Sequence, residues 1–353
     1  IGILLDTKGP EIRTCDSDEP LVVKYEDTVR IKGDPTQKSE GDIICVSYDD
    51  FVKDVPVGSS ILIDDGYVAL AVIEKDEDVL YCSVENDGVI HEHKSINIPA
   101  VHVKLPALSE KDKGFIHFAA ENDIDFIAHS FVRNKEDVMA VQKILDEHNS
   151  LIKIIAKIEN AEGVNNLSEI LDHTYGVMIA RGDLAVEIPA EQIPLIQKGI
   201  IGDCIERRKP VIVATQMLHS MINSPRPTRA EVSDVANACL DQTDALMLSG
   251  ETANGKYPEL AVRTMAKIAA EVERRKTGYI NVSYNQENRV AAYLAKAAVK
   301  TAVRLNTKAI VADSLTGSSI LALAAYRGPN VIHAQVYNRK VVRLLSLSYG
   351  VYA

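Results

Sequence analysis

Two charged residues break into an otherwise apolar run. In Ile152-Lys153-Ile154-Ile155-Ala156-Lys157-Ile158-Glu159 the even positions are all apolar, and the odd positions include Lys157 and Glu159. Alternate side chains of an extended strand share a face, so this ammonium and this carboxylate project together from the strand's carboxyl end. Active sites of parallel α/β folds gather at that end. Left alone there, the two charges would be costly, which implies a partner or a ligand. A purely structural Lys–Glu ion pair is the other reading of this strand.

The next apolar run, Val177-Met178-Ile179-Ala180, leads into Arg181-Gly182-Asp183 and delivers a second carboxylate. Glu159 and Asp183 on neighbouring strand tips suit Mg²⁺, which takes one or two carboxylates plus substrate oxygens and water. Gly182 lets a ligand approach the backbone and meet its N–H groups. An adhesion role for the Arg-Gly-Asp tripeptide does not fit a position directly behind a buried strand. A third run, Val211-Ile212-Val213-Ala214, ends in Thr215-Gln216. A lone Thr at a strand end is ordinarily a helix cap or a satisfied hydroxyl. Thr215 gains weight from its company, because barrels draw catalytic groups from several successive strand tips.

Two patterns are weaker. Gly250-Glu251-Thr252-Ala253-Asn254-Gly255-Lys256-Tyr257 matches the phosphate-binding spacing GxxxxGK, but Tyr257 stands where a small hydroxyl must reach Mg²⁺. His91 and His93 share a face only if the segment is extended. With no third ligand nearby they read as solvated loop histidines rather than a zinc site.

The elements that must carry these residues alternate. Strands are predicted at 1–6, 125–130, 152–158, 176–180, 210–215 and 245–248. Helices are predicted at 109–122, 135–148, 161–171, 191–208, 229–240 and 258–275. Such β-α alternation predicts a parallel sheet or barrel with helices outside. Six strands would also satisfy an open doubly wound sheet. Because a (β/α)8 barrel needs eight strands and Ile1 opens directly into a strand, two units are expected upstream. Between the first two strands, from 14 to 102, short β-rich runs alternate with turns such as Asp64-Asp65-Gly66 and Asn86-Asp87-Gly88, which predicts a small inserted barrel or sandwich. From Arg289 a further α/β section begins, and it too is expected to stop early.

The whole chain has 353 residues, 39 Lys plus Arg against 50 Asp plus Glu, and a net charge of −11. That balance argues against a general nucleic-acid or anionic-membrane binder. No apolar run reaches about 18 residues, so no span of a bilayer is expected. The 5 cysteines are scattered without a CxxC pair and read as reduced thiols of a cytoplasmic protein.

Six blocks together resemble the pyruvate kinase family: Asp6-Thr7-Lys8-Gly9-Pro10-Glu11-Ile12-Arg13, Ile155-Ala156-Lys157-Ile158-Glu159-Asn160, Met178-Ile179-Ala180-Arg181-Gly182-Asp183-Leu184, Ala214-Thr215-Gln216-Met217-Leu218, Pro225-Arg226-Pro227-Thr228-Arg229-Ala230-Glu231 and Met247-Leu248-Ser249-Gly250-Glu251-Thr252. They run in family order from Ile1 to about Glu273. The resemblance implies a (β/α)8 TIM-type barrel over 1–13 and 103–276, with two N-terminal units absent. It also implies a β-rich lid over 14–102 and a partial C-terminal α/β domain over 277–353. It implies phosphoryl transfer from phosphoenolpyruvate to ADP, giving pyruvate and ATP in glycolysis, with Mg²⁺ (or Mn²⁺) and K⁺, in a cytoplasmic homotetramer.

Carried over by position, the resemblance assigns Lys157 to charge on the transferring phosphoryl group, and Glu159 and Asp183 to Mg²⁺. Gly182, with Asp183 and Thr215, would bind the substrate carboxylate. Asp6 and Thr7 would ligate K⁺, and Glu11 matches the acidic residue of K⁺-dependent members. Arg13 and Lys94 would contact the nucleotide. His219 stands where many members have Glu, and Ser318 replaces the basic residue of an effector loop. Two other readings stay open: a Mg²⁺-dependent enolpyruvate lyase or mutase on a similar barrel, and a catalytically incomplete fragment acting as a scaffold.

Overall fold

The computed structural model describes residues 1–99, 101, 103–283 and 289–353. Ala100, His102 and 284–288 lie outside the described residues, including the expected lid boundary at His102. The chain falls into two compact units. One comprises 1–7, 110–182 and 194–353; the other comprises 8–109 and 183–193.

In the first unit six strands form one sheet: β1 (Leu4–Asp6), β2 (Phe126–His129), β3 (Lys153–Ile158), β4 (Gly176–Ala180), β5 (Val211–Ala214) and β6 (Ala245–Leu246). They lie side by side in chain order, and every pair is parallel. That order decides between the two architectures left open by the sequence. A doubly wound sheet reverses its strand order at a switch point. Unreversed order with right-handed crossovers keeps every helix on one face, as in a barrel wall. Among the described residues no pairing joins β1 to β6, so the strands form an arc of a barrel.

β2, β4 and β5 are buried along their whole length, as expected for parallel strands covered on both faces. Phe126, Ala128, Ile155, Met178, Ile212 and Ala214 form one apolar cluster on the inner face. Ile155 belongs to it, so Lys157 and Glu159 continue that face beyond the strand's apolar part.

Residues just before β2 and β6 act as anchors. Asp125 accepts the Ile3 N–H (2.9 Å), and Asp244 accepts the Val211 N–H (3.0 Å). Each carboxylate therefore ties the start of a neighbouring strand, and each also receives an arginine from the C-terminal region. Arg343 Nε donates to Asp125 (2.9 Å), and Arg327 grips Asp244 through both terminal nitrogens (2.8 and 2.6 Å). That region is a three-stranded parallel sheet, β7 (Ala309–Asp313), β8 (Val331–Gln335) and β9 (Val351–Tyr352), preceded by the helix Arg289–Arg304.

The second unit is β-rich, as expected. Its main sheet has seven strands, with the short pair Ile12–Arg13 and Ser95–Asn97 at one end. A core of Ile31, Ile44, Ile61, Ile63, Leu70 and Leu80, all at most 1% exposed, holds it together. All cysteines are free thiols. Among the described residues no helix is long and apolar enough to cross a membrane.

Candidate active site

The tips of β1, β2 and β3 meet around the Lys157 ammonium. Its Nζ donates to Ser130 Oγ (2.8 Å) and lies 3.2 Å from both Asp6 Oδ2 and Glu159 Oε1. The Lys157 side chain is only 12% exposed and that of Glu159 2%, so little water screens them. Burial alone would make Lys157 easier to deprotonate. The Glu159 and Asp6 carboxylates outweigh it and hold the pKa above the ordinary lysine value. The ammonium is thus a fixed positive charge.

The partners are themselves positioned. Glu159 Oε2 accepts the Phe131 N–H (2.6 Å). Next to it, Asn160 caps the helix Ala161–Asn165, its Oδ1 accepting from Gly163 N (2.7 Å). Ser130 Oγ donates to the Thr7 carbonyl (2.7 Å), and the Thr7 hydroxyl accepts Ser130 N–H (3.0 Å). Behind it, His129 Nδ1 lies 3.4 Å from Thr7 Oγ1. Burial holds His129 neutral, with its pKa pushed down to about 4. Ser130 and His129 were missed in the sequence, because one Ser and one His at the end of a buried strand look like satisfied core residues.

Beyond β4, Gly182 and Asp183 fall in the first turn of the helix Arg181–Glu187. Gly182 N donates to Thr215 Oγ1 (2.8 Å), so the structure brings these two predicted residues together. Thr215 and Gln216 both take left-handed backbone conformations, with φ of +68° and +54°. Such a turn is unfavourable for non-glycine residues and needs support. Arg181 supplies it: Nη2 donates to the Thr215 carbonyl (2.8 Å), while Nη1 is held by Asp234 (2.7 Å). In the sequence Arg181 stood out only as part of a tripeptide; its place here is a clamp on the Thr215 turn.

In the β-rich unit Arg13 lies on the strand Ile12–Arg13, and Lys94 directly precedes the partner strand Ser95–Asn97, with Ser95 opposite Arg13. Both are held by carboxylates. Arg13 Nε donates to Glu11 (2.6 Å) and Lys94 Nζ to Asp64 (3.0 Å). The two sequence decoys resolve as structure. Glu251 of the GxxxxGK segment is buried and accepts the amides of Leu218 (3.0 Å) and Ser249 (2.9 Å). His93 has φ of +58°, which breaks the extended geometry needed for His91 and His93 to share a face, although His93 itself gathers with the exposed carboxylates of Asp16 and Glu92, partners the sequence did not show.

The donor chemistry fits hard cations. Glu159 and Asp183 offer carboxylate oxygens, as Mg²⁺ and Mn²⁺ prefer. Asp6 and Thr7 offer carboxylate, carbonyl and hydroxyl oxygens, with no nitrogen or sulfur among them.

Known proteins match this chain along its length. A family model described as the pyruvate kinase barrel domain matches residues 1–262, and one described as the pyruvate kinase alpha/beta domain matches 293–353. Pyruvate kinase of Borreliella burgdorferi is 48% identical over 356 residues, an alignment covering 100% of this chain and 74% of that protein. Pyruvate kinase of Bacillus licheniformis is 45% identical over 368 residues, covering 100% of this chain and 61% of that protein. Among solved structures, a pyruvate kinase from Cryptosporidium parvum superposes with a TM-score of 0.93 at 40% identity, covering 99% of this chain and 74% of that one.

Proposed function

Because the chain belongs to the pyruvate kinase family, we propose that it transfers the phosphoryl group of phosphoenolpyruvate to ADP, giving pyruvate and ATP, with Lys157 as the central charge. The observation that carries this reading is the Lys157 ammonium, buried at the strand tips among Ser130, Asp6 and Glu159. Phosphoryl transfer asks little covalent chemistry of a protein. It asks for positioning and for stabilisation of charge on the moving group. A cation already desolvated and fixed meets that demand without reorganising during the reaction.

The other residues follow from the same demand. Glu159 and Asp183 would hold Mg²⁺ or Mn²⁺, and Asp6 and Thr7 would hold K⁺. A divalent cation so bound supplies charge neutralisation on the phosphoryl and enolate oxygens. Gly182 offers its N–H to the substrate carboxylate. That N–H is now given to Thr215 Oγ1, whose own O–H donates to the Ala214 carbonyl (2.6 Å), so substrate binding there frees a lone pair of the hydroxyl oxygen and leaves its proton on that carbonyl. Turned away from the Ala214 carbonyl, the Thr215 hydroxyl, directly or through water, can pass a proton to the enolate carbon. Arg13 and Lys94 would receive the nucleotide phosphates after exchanging Glu11 and Asp64 for them. The division into a barrel over 1–13 and 103–276, a lid over 14–102 and a C-terminal domain over 277–353 belongs to this proposal. So do homotetrameric assembly and a cytoplasmic location.

A coupled assay tests the reading. Pyruvate should form from phosphoenolpyruvate only when ADP is present, and chelation of divalent cations should abolish it. Turnover without ADP would point instead to a lyase. Binding of phosphoenolpyruvate by calorimetry without any turnover would point to a scaffold.

A further inference from the structure

Away from the strand tips, where the base of the sheet meets the C-terminal region, three residues that line one small cavity each carry a buried polar atom without a hydrogen-bond partner: Arg208 Nε, Arg327 Nε and Ser348 Oγ. Arg327 is 3% exposed and Ser348 7%, so water outside does not satisfy them. Buried polar groups are ordinarily paired, and an orphaned one costs free energy, so three around one space call for an occupant.

The geometry points to a monatomic anion site, and we propose that this cavity takes a halide such as chloride, held by the two Nε–H groups and the Ser348 hydroxyl. Three arguments favour an anion. First, the orphans are donors. Both Nε atoms can only donate, and the hydroxyl can turn to donate as well. A water would bring two protons of its own, and the one carboxylate nearby is fully engaged. Asp244 Oδ1 already takes Arg327 Nη1 and Tyr349 N, and Oδ2 takes Arg327 Nη2 and Val211 N. The Pro210 carbonyl takes Val177 N.

Second, the lining is positive. Arg208, Lys209 and Arg327 face it against the single carboxylate of Asp244. Lys209 Nζ is spent on the Thr174 carbonyl (2.7 Å), which leaves its charge in place and its donor turned elsewhere. Third, the space is about 10 Å³, enough for one water-sized sphere. Sulfate, phosphate and carboxylates are too large. A halide is modestly larger than water, and the half-buried Arg208 side chain can yield to it.

Such an ion would link the helix end at Arg208, in the barrel part, to Arg327 and Ser348 of the C-terminal part. The test uses the whole protein with bromide and chloride as probes. Crystals grown in sodium bromide should show an anomalous bromine peak within hydrogen-bond reach of Arg208 Nε, Arg327 Nε and Ser348 Oγ. In solution the unfolding midpoint should rise with the logarithm of sodium chloride concentration, and not with sodium gluconate at equal ionic strength. Ser348→Ala and Arg208→Gly should each lose at least half of that rise. Arg208 has φ of +57°, which glycine adopts freely, so its replacement removes a donor without straining the turn. A cavity without bromine signal overturns the proposal, as does a wild type indifferent to chloride or a halide response that both variants keep.

Discussion

The charge on Lys157 is fixed by its neighbours and not by exposure to water. Two carboxylates and a hydroxyl surround it, and its pKa is raised despite burial. Lys157→Met removes a charge aimed at the transition state, so kcat should fall by at least about 10³, while KM for phosphoenolpyruvate changes far less. Steady-state kinetics on the purified variant check this. A kcat within about tenfold of wild type would end the assignment. His129 makes a prediction about stability. Its pKa is pushed down to about 4 by burial, below the ordinary value near 6.5. Between those two pH values the unfolded chain binds a proton that the folded chain refuses, so stability is intact above about 6.5 and declines as pH falls towards about 4. The full decline amounts to about 3 kcal/mol. Urea unfolding at a series of pH values should show it, and His129→Leu should flatten that limb of the profile.

Among the elements, two glycines separate structural from functional demands. Gly163 sits in the helix capped by Asn160, where an added Cβ would lie 2.4 Å from the Val132 carbonyl oxygen. Backbone cannot easily yield there, so Gly163→Ala should destabilise by roughly 1–3 kcal/mol in urea unfolding. Gly182 is different: a Cβ would meet nothing closer than Thr215 Oγ1 at 3.6 Å. Gly182→Ala should fold with stability unchanged or raised by up to about 1 kcal/mol. Its KM for phosphoenolpyruvate should nonetheless rise by about tenfold or more, a loss of roughly 1.4 kcal/mol in binding. Equal destabilisation of the two variants would remove the distinction. These elements also show what a sequence can carry. Period-2 alternation put Lys157 and Glu159 on one face, and in the structure their charged groups lie 3.2 Å apart. The helix predicted at 229–240 is found at Arg229–Leu240, where Thr228 and Glu231 form a capping box. The helix Arg181–Glu187 was not legible: at seven residues it is too short to show an apolar repeat. Strands such as Ile12–Arg13 and Gly88–Ile90 are too short to alternate visibly. The left-handed turn at Thr215 has neither glycine nor asparagine to announce it, since a distant arginine holds it.

For the first unit as a whole, the Asp244–Arg327 pair has the largest stake, because one carboxylate ties three segments together. Asp244 receives the first amide of β5, the amide of Tyr349 and both terminal nitrogens of Arg327, with both side chains 4% exposed. Burial pushes the Asp244 carboxyl above the usual carboxylate range, with Arg327 pulling the other way, so desolvation outweighs the attraction. Two consequences differ in sign of effort. Asp244→Ala strands a buried guanidinium and two backbone amides, and should cost about 3–5 kcal/mol. The double replacement Asp244→Leu with Arg327→Met removes both charges, and should recover part of that loss. By contrast, the Arg343–Asp123 pair has an Asp123 side chain 76% exposed, so Asp123→Ala should cost far less than Asp244→Ala. Urea unfolding of the wild type, Asp244→Leu, Arg327→Met and their double variant gives the coupling from the double-mutant cycle, with Asp244→Ala and Asp123→Ala measured beside them. Limited proteolysis gives a second readout: if the carboxylate fastens the C-terminal region to the sheet, Asp244→Ala should open 309–353 to cleavage before the barrel strands. Loss of both parts together at one protease concentration would show that the clamp serves the sheet base alone.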